Sequence, residues 1–401
     1  MYMKIGINAS FARKPDTGMG QVAINFIKKL MEISNFEFRI SNLEFILYLE
    51  EDLPKEIKLP SNFSKRIFLP FWKRDDLLRK IAWEKFLLPR KVRQDKCDIF
   101  FSLYQAPTIF NHEKKEPVHI MLVHDLIWEI FPEYVNNSRK KLYWNLVKKA
   151  IQKAEKIIAI SCHTEKDLIK YLALNPALIT VSYLDVDEIY KKEVSVEVNS
   201  KMLQKYHLKP GYIYAGGGLD KRKNIEKLIQ AYKQLLEKNK ASLLVEDFPQ
   251  LVISGKLMPE LSPLVTDVEK IIKEENLTKH VKLLDFVQQK YLPALYKNAS
   301  VFVYPTLYEG FGLPVLEAMN QGTPVITGKN SSLPEVGWDG VLYCDSSDER
   351  ELGQVIKNVL INKDLRETLA RRGKEHAAYF SFEKFVEKFL NIAKEIVEKR
   401  N

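Results

Sequence analysis

Cysteine is scarce in this chain. Its three cysteines, Cys97, Cys162 and Cys344, stand far apart and form no CxxC pair. That spacing excludes a disulfide framework and a cysteine-built zinc site, and it suits a reducing compartment. Long apolar runs are missing as well. Nothing approaches the roughly 18 apolar residues of a membrane span. The opening "MYMKIGINASF" has too short an apolar run for a signal peptide. Internal repeats and low-complexity segments are absent too. The expectation is a cytoplasmic protein, touching at most the inner face of the membrane.

Acidic residues are outnumbered, 52 against 62 basic, for a formal net charge of +10. A basic balance suits an anionic partner such as nucleic acid, nucleotide phosphates or an anionic membrane. It equally suits a solvated Lys/Glu-rich surface. Both readings stand on composition alone.

What is present is a repeating unit. The 401 residues are 46% apolar and 28% charged, right for two soluble domains of roughly 200 residues each. Short apolar runs, many rich in Ile and Val, alternate with helical patterns: "KIGIN", "CDIFFSL", "VHIMLVH" and "KIIAIS", then, after "LKPG", "YIYAGG", "QLVISG", "VKLLDF", "SVFVYP", "TPVITG" and "VLYCD". Such runs are typical of strands buried on both faces, and the alternation argues parallel α/β sheets. The restart after "LKPG" argues two of them. The strand signal lapses within residues 185–211, so the domains are expected at 1–190 and 191–380. A final helix at 381–401 is free to pack back on the first domain. In doubly wound sheets ligands sit beyond the C-terminal strand ends, at helix N-termini.

Four constellations occupy such places. Gly18 and Gly20 in "KPDTGMGQVAINFI" follow the first strand and open a helix. They fit a phosphate approach or a plain turn. His124 and Asp125 end a strand in "IMLVHDLIWEI". The histidine fits a sugar or phosphate contact, and the pair fits a turn cap equally well. In "YIYAGGGLDKRKNIEKL", three glycines including Gly217 precede Arg222 and Lys223 at a helix start. Cations there oppose the helix dipole, so a bound pyrophosphate explains them better than local stability does. Finally, "YPTLYEGFGLPVLEAMNQG" places Glu309, Gly310, Phe311, Gly312 and Leu313 in a corner before a helix that carries Glu317. Pro314 suits its first turn. Glu317 alone fits a dipole-favoured carboxylate. That reading leaves Glu309 and the two glycines unexplained.

Two further features read as structural. "DVD" at Asp185–Asp187 has a metal-site look but falls in the expected linker, and is read as a turn. The basic run "SRKKLYWNLVKKAIQKAEK" fits an ordinary helix with a solvated face, or a helix touching an anionic membrane.

Taken in chain order, these pieces resemble glycosyltransferase family 4, retaining enzymes of the GT-B fold. The strongest likeness is "LYKNASVFVYPTLYEGFGLPVLEAMNQGTPVITG", which contains the E-x(7)-E pattern of that family. "GGGLDKRKNIEKLIQAY", "LVHDLIWEIFPEYV", "TGMGQVAINFIKKL" and "AISCHTEKDLIKYL" are similar to its other segments. The subset with "RKN" and "HDL" segments is similar to enzymes of polysaccharide and O-antigen assembly, many of them mannosyltransferases. The resemblance implies two Rossmann-like doubly wound domains facing a central cleft, an acceptor domain followed by a donor domain. It implies Glu317 on the nucleotide ribose, Glu309 on the donor sugar, and backbone near Gly310, Phe311, Gly312 and Leu313 on sugar and phosphate. Arg222 and Lys223 would neutralise the pyrophosphate. Gly20 would approach the phosphate, and His124 would lie near the transferred sugar. The base contact falls near Val287, although Asp285 stands where that family usually has glycine, and Gly218 stands near a common arginine position.

The implied reaction moves a hexosyl group, mannose by likeness to that subset, from a GDP- or UDP-sugar to a hydroxyl of a glycan or lipid-linked acceptor. It needs no metal and no cofactor, because the charges on the leaving diphosphate meet covalent cations. Nucleic acid is not an expected partner. The competing readings are a nucleotide-sugar epimerase or a phosphorylase on the same fold, and a basic polyanion-binding or membrane-binding protein without enzymatic activity.

Overall fold

The computed structural model describes residues 3–36, 43–68, 76–113, 115–240 and 248–400. Two compact units emerge, Met1–Leu184 with Ser381–Asn401, and Asp185–Phe380.

The first unit is a parallel sheet in the order β3-β2-β1-β4-β5-β6-β7. Its strands are β1 (Met3–Asn8), β2 (Leu43–Leu49), β3 (Phe63–Ile67), β4 (Ile99–Ser102), β5 (Val118–Val123), β6 (Lys156–Ala159) and β7 (Ile179–Val181). β4 and β5 are buried throughout, as expected of strands covered on both faces. The C-terminal helix Phe382–Arg400 belongs to this unit. Phe382, Phe385, Val386, Phe389, Ile392 and Ala393 recur at spacings of three and four and are all buried. Phe385 and Phe389 meet Phe26 of helix Gly18–Phe36 edge-on, at 5.7 and 5.6 Å between ring centres. Phe389 also stacks on Phe101 at 4.2 Å.

The second unit is a parallel sheet in the order β10-β9-β8-β11-β12-β13. Its strands are β8 (Tyr212–Ala215), β9 (Leu251–Ser254), β10 (Val281–Leu284), β11 (Ala299–Tyr304), β12 (Val325–Gly328) and β13 (Leu342–Cys344). The chain runs outward from β8 to β10, returns to β11 beside β8, and runs outward again. That reversal makes the β8/β11 boundary a topological switch point, where a crevice opens beyond the strand ends. The β1/β4 boundary is the equivalent place in the first unit.

The two units divide after Leu184, six residues before the expected boundary at 190. Residues 185–190 join the second unit because Tyr190 packs there. Its carbonyl accepts from Gln321 Nε2 at 2.5 Å, and its ring meets Tyr296 edge-on at 6.2 Å. The "DVD" segment is a turn. Asp185 is buried against the Lys191 ammonium, and Asp187 accepts from the Ile189 amide at 3.0 Å. Among the described residues, no cluster of three or more His, Cys, Asp or Glu is placed to hold a metal. Among them, too, no helix is long and apolar enough to cross a membrane.

Candidate functional site

The loops after β8 and β11 meet at the switch point of the second unit. After β8, Gly217 and Gly218 take φ of 93° and 105°, left-handed values that glycine adopts without a Cβ penalty. A Cβ on Gly217 would lie 2.9 Å from Pro314 Cγ, so the two loops touch through that bare backbone. The chain then makes the turn Lys221–Lys223, passes Asn224 at φ 60°, and enters helix Ile225–Lys240. Asn224 Nδ2 ties this turn to the other loops by donating to the Pro305 and Ser346 carbonyls, at 3.2 and 2.5 Å.

After β11 the loop 305–312 leads into helix Leu313–Asn320. The Leu307 amide donates to the Arg222 carbonyl at 2.7 Å. Ser332 Oγ donates to the Glu309 and Phe311 carbonyls, at 2.9 and 2.7 Å, and fixes the corner. Gly312, at φ 112°, is the residue before the helix. Among the described residues, the amides of Gly312 and Leu313 have no protein acceptor. A helix start with open amides is a ready anion site.

The two loops bring Arg222, Lys223 and Glu309 into one buried cluster. Glu309 Oε1 accepts from Arg222 Nη1 (2.7 Å), Lys223 Nζ (2.7 Å), Tyr304 Oη (3.0 Å) and Thr306 Oγ1 (2.8 Å). Lys223 Nζ also donates to Tyr304 Oη at 2.5 Å. Arg222 pairs in addition with Asp220 at 2.8 Å and donates to the Tyr308 carbonyl. Burial by itself would raise the Glu309 pKa, but the Lys223 and Arg222 charges outweigh it and hold the carboxyl at about 2. Lys223 is pushed down, by burial first and then by the Arg222 charge. Cations placed by the sequence to face a pyrophosphate here share a carboxylate. Tyr304 and Thr306 were not expected in the site. Their signal is position, since Tyr304 ends the buried strand β11 and Thr306 stands two residues past it.

Glu317 lies apart from this cluster. It is buried on helix Leu313–Asn320 and accepts from Tyr296 Oη at 2.8 Å. Burial raises its pKa to about 7 against the pull of that bond. Glu309 and Glu317 are therefore a depressed and an elevated carboxyl on one corner. Gly310 and Phe311 are buried within it, with the Phe311 ring edge-on to Phe380 at 5.7 Å. Val287 is buried past the end of β10, the edge strand, outside the hydrogen-bonded cluster.

In the first unit, His124 follows β5 and is buried. Its Nε2 donates to the Leu103 carbonyl at 2.9 Å, and its amide donates to Gln105 Oε1 at 3.1 Å. Burial lowers its pKa to about 4, so the ring is neutral near pH 7 and Nδ1 keeps its lone pair. Asp125 Oδ1 accepts from the Ile127 amide at 3.0 Å and so caps the next turn. Gly18 is the exposed first residue of its helix. A Cβ on Gly20 would stand 1.8 Å from the Lys14 carbonyl oxygen. That approach within the chain is sufficient reason for glycine at position 20.

A doubly wound sheet in each unit, with a cation and open-amide corner at one switch point, is the architecture of the GT-B class. Comparison with known proteins supports this. The sequence matches the family described as Glycosyltransferase Family 4 over residues 43–188 and the family described as Glycosyl transferases group 1 over residues 200–376. It is 29% identical to an O-antigen chain mannosyltransferase of Escherichia coli, over 98% of this chain and all of that one. It is 25% identical to another from Salmonella typhimurium, over 88% and 90% of the two chains. The fold superposes on an Anabaena protein solved with UDP and glucose, with a TM-score of 0.70 at 17% identity, covering 98% of this chain and all of that one. Laid end to end, the two family models cover most of the chain and identify it as a glycosyltransferase.

Proposed function

We propose that this protein transfers a mannosyl group from GDP-mannose to a hydroxyl of a glycan or lipid-linked acceptor, with retention at the anomeric carbon, during assembly of a cell-surface polysaccharide. The sugar and the process follow from the O-antigen mannosyltransferases it is similar to. The observation that carries the donor reading is the convergence of Arg222, Lys223 and the open amides of Gly312 and Leu313 at the β8/β11 switch point.

In this reading the leaving diphosphate is the main electrostatic problem. As the bond from C1 to the leaving oxygen breaks, negative charge builds on the phosphate, and preorganised donors stabilise it. A guanidinium has five N–H donors and an ammonium three. Each cation can hold Glu309 and still meet a phosphate oxygen. The acceptor oxygen bonds to C1 on the same face, and its proton passes to the departing phosphate oxygen. Glu309 is a poor nucleophile for a covalent alternative, because its carboxylate is weakly basic and four donors crowd Oε1. Among the described residues none bonds to Oε2, which suits a sugar hydroxyl. Glu317 would accept from the ribose, Val287 would lie against the base, and Gly217 would let the donor approach the backbone. For His124 we propose a hydrogen bond from a substrate hydroxyl to Nδ1, and for Gly18 a contact through the helix start.

A thermal-shift panel of GDP- and UDP-sugars tests the donor, since a ligand of the folded state raises its melting temperature. The expected result is the largest shift with GDP-mannose, followed by an α-linked product by NMR. No shift with any nucleotide sugar overturns the donor site, and a β-linked product overturns retention.

A further inference from the structure

The transfer reading makes no use of an aromatic cluster on the surface of the second unit. Helix Leu333–Gly337 ends at Trp338, whose backbone takes φ 45° and ψ −124°. A bulky residue rarely adopts that conformation. Tyr343 Oη pins the turn by donating to the Trp338 carbonyl at 2.8 Å. The turn is also tightly packed. A Cβ on Gly337 would lie 2.5 Å from Val341 Cγ2, and one on Gly340 would lie 2.7 Å from Gly373 Cα. The outcome is an indole that is 65% exposed. His376 stacks on it at 6.3 Å with 20° between the planes, and Tyr379, 71% exposed, lies 5.7 Å from His376. Backbone strain held in place by its surroundings is a pointer to function.

These rings wall a hollow of about 490 Å³ whose rim is Asp339, Arg372 and Glu375. Arg372 stands 3.7 Å from Asp339, and Glu375 accepts from Arg371 at 3.0 Å. A strongly anionic ligand would meet the two carboxylates, and a purely apolar partner would bury three charges. A hexose matches both parts. Its C–H face suits an aromatic wall, and its ring of hydroxyls suits a rim with both donors and acceptors. Burial lowers the His376 pKa, which keeps that wall neutral. The cluster also connects inward. His376 meets Phe380 edge-on at 5.4 Å, and Phe380 meets Phe311 of the donor-side corner.

We propose that the hollow between Trp338 and Tyr379 binds a neutral oligosaccharide, at a site separate from the Arg222–Lys223–Glu309 corner. Within a glycosyltransferase such a site holds a grown chain near the unit that carries the donor corner. The use of a mannose probe rests on the function proposed above, whereas the hollow and its walls do not.

The test is a tryptophan-fluorescence titration of the full chain with α-mannotetraose and maltotetraose, with heparin as the polyanion control. Saturable binding of at least one tetrasaccharide is expected, without comparable heparin binding. Trp338→Gly abolishes it, read by NMR titration because the variant lacks the reporter indole, and glycine suits this backbone. Tyr379→Ala, checked by NMR titration, weakens it by about tenfold or more. Lys223→Ala leaves it unchanged, which separates this site from the donor site: a failed nucleotide-sugar panel with intact tetrasaccharide binding would remove the donor reading only. The proposal is overturned if neither tetrasaccharide binds at about 10 mM, or if binding survives both aromatic substitutions. It is equally overturned if the face proves to be a contact between copies, seen as self-association in sedimentation that Tyr379→Ala removes.

Discussion

Lys223 Nζ lies 2.7 Å from Glu309 Oε1, a buried ion pair between residues 86 positions apart in the chain. It joins the turn after β8 to the loop after β11, so the same contact holds the fold together and sets the charge of the proposed donor site.

The two ends of that pair are unequal in what their loss leaves behind. Glu309→Ala leaves the buried Lys223 ammonium without its carboxylate, while Arg222 keeps Asp220, and breaking a buried pair in this way costs about 3–5 kcal/mol. Lys223→Ala leaves Glu309 with Arg222, Tyr304 and Thr306, so its melting temperature falls less. Its transfer rate nevertheless drops by about 100-fold or more, as for loss of a donor aimed at developing charge. Calorimetry beside kcat/KM measurement checks both. Near-wild-type turnover of Lys223→Ala would remove it from the site.

Stability should depend on pH in two opposite ways. Glu317 has its pKa raised from 4.5 to about 7 in the folded state. The folded protein then binds more protons than the unfolded chain between those values. Its contribution is complete below about 4.5 and is lost as pH rises through 7, on the order of 3 kcal/mol. Glu309, lowered to about 2, contributes stability above 4.5 that is lost as pH falls through 2. Melting curves from pH 4 to 8 should flatten in Glu317→Gln. A slope that persists in that variant would assign the effect to another group.

Glycine substitutions separate strain from collision. Gly217→Ala combines φ 93° with a Cβ 2.9 Å from Pro314 Cγ. It should destabilise by about 1–3 kcal/mol and raise the donor KM. Gly322→Ala, at φ 70° with open space around its Cβ, should cost only about 1 kcal/mol and leave KM alone. Equal effects of the two on KM would show that the Gly217 backbone is not part of the donor site.

The helix Ser138–Lys153 buries Tyr143, Trp144, Val147, Ala150 and Ile151 and turns Arg139, Lys141, Lys149 and Lys153 outward beside Leu142, which is 54% exposed. If that face meets an anionic membrane, Lys141→Glu with Lys149→Glu reduces co-sedimentation with phosphatidylglycerol vesicles several-fold, because each basic residue near such a surface contributes about 1 kcal/mol. Sedimentation equal to that of the parent protein would mark the face as merely solvated.

Much of the fold was legible because buried parallel strands announce themselves. β5, "VHIMLV", and β11, "ASVFVY", are apolar runs with nearly every side chain inside. β3 and β7 escaped for the opposite reason. "FSKRI" is an edge strand with three exposed residues, and "ITV" is only three residues long. β2, "LEFILYL", carries the same apolar signal as the strands that were expected. Within the site, Arg222, Lys223 and Glu309 were legible as charges in loops beyond strands, and Glu317 as a carboxylate one turn into a helix. Tyr296 and Tyr304 were not, because an aromatic residue on a buried element looks like core until its hydroxyl is seen to meet a carboxylate.

By itself the sequence determined the alternation of strand and helix, the parallel sheets, and the glycine corners, since burial pattern and backbone conformation are local properties. Only the tertiary structure decided that β8 and β11 are neighbours. That adjacency brings Lys223 to Glu309, holds that carboxyl near 2 and leaves both cations shared. It also decided that Gly20 answers to the Lys14 carbonyl and that the last helix returns to the first unit. The reason is common to all of these. Ionisation, close backbone approach and docking depend on what lies within a few ångströms, and in a folded chain those neighbours come from far along the sequence.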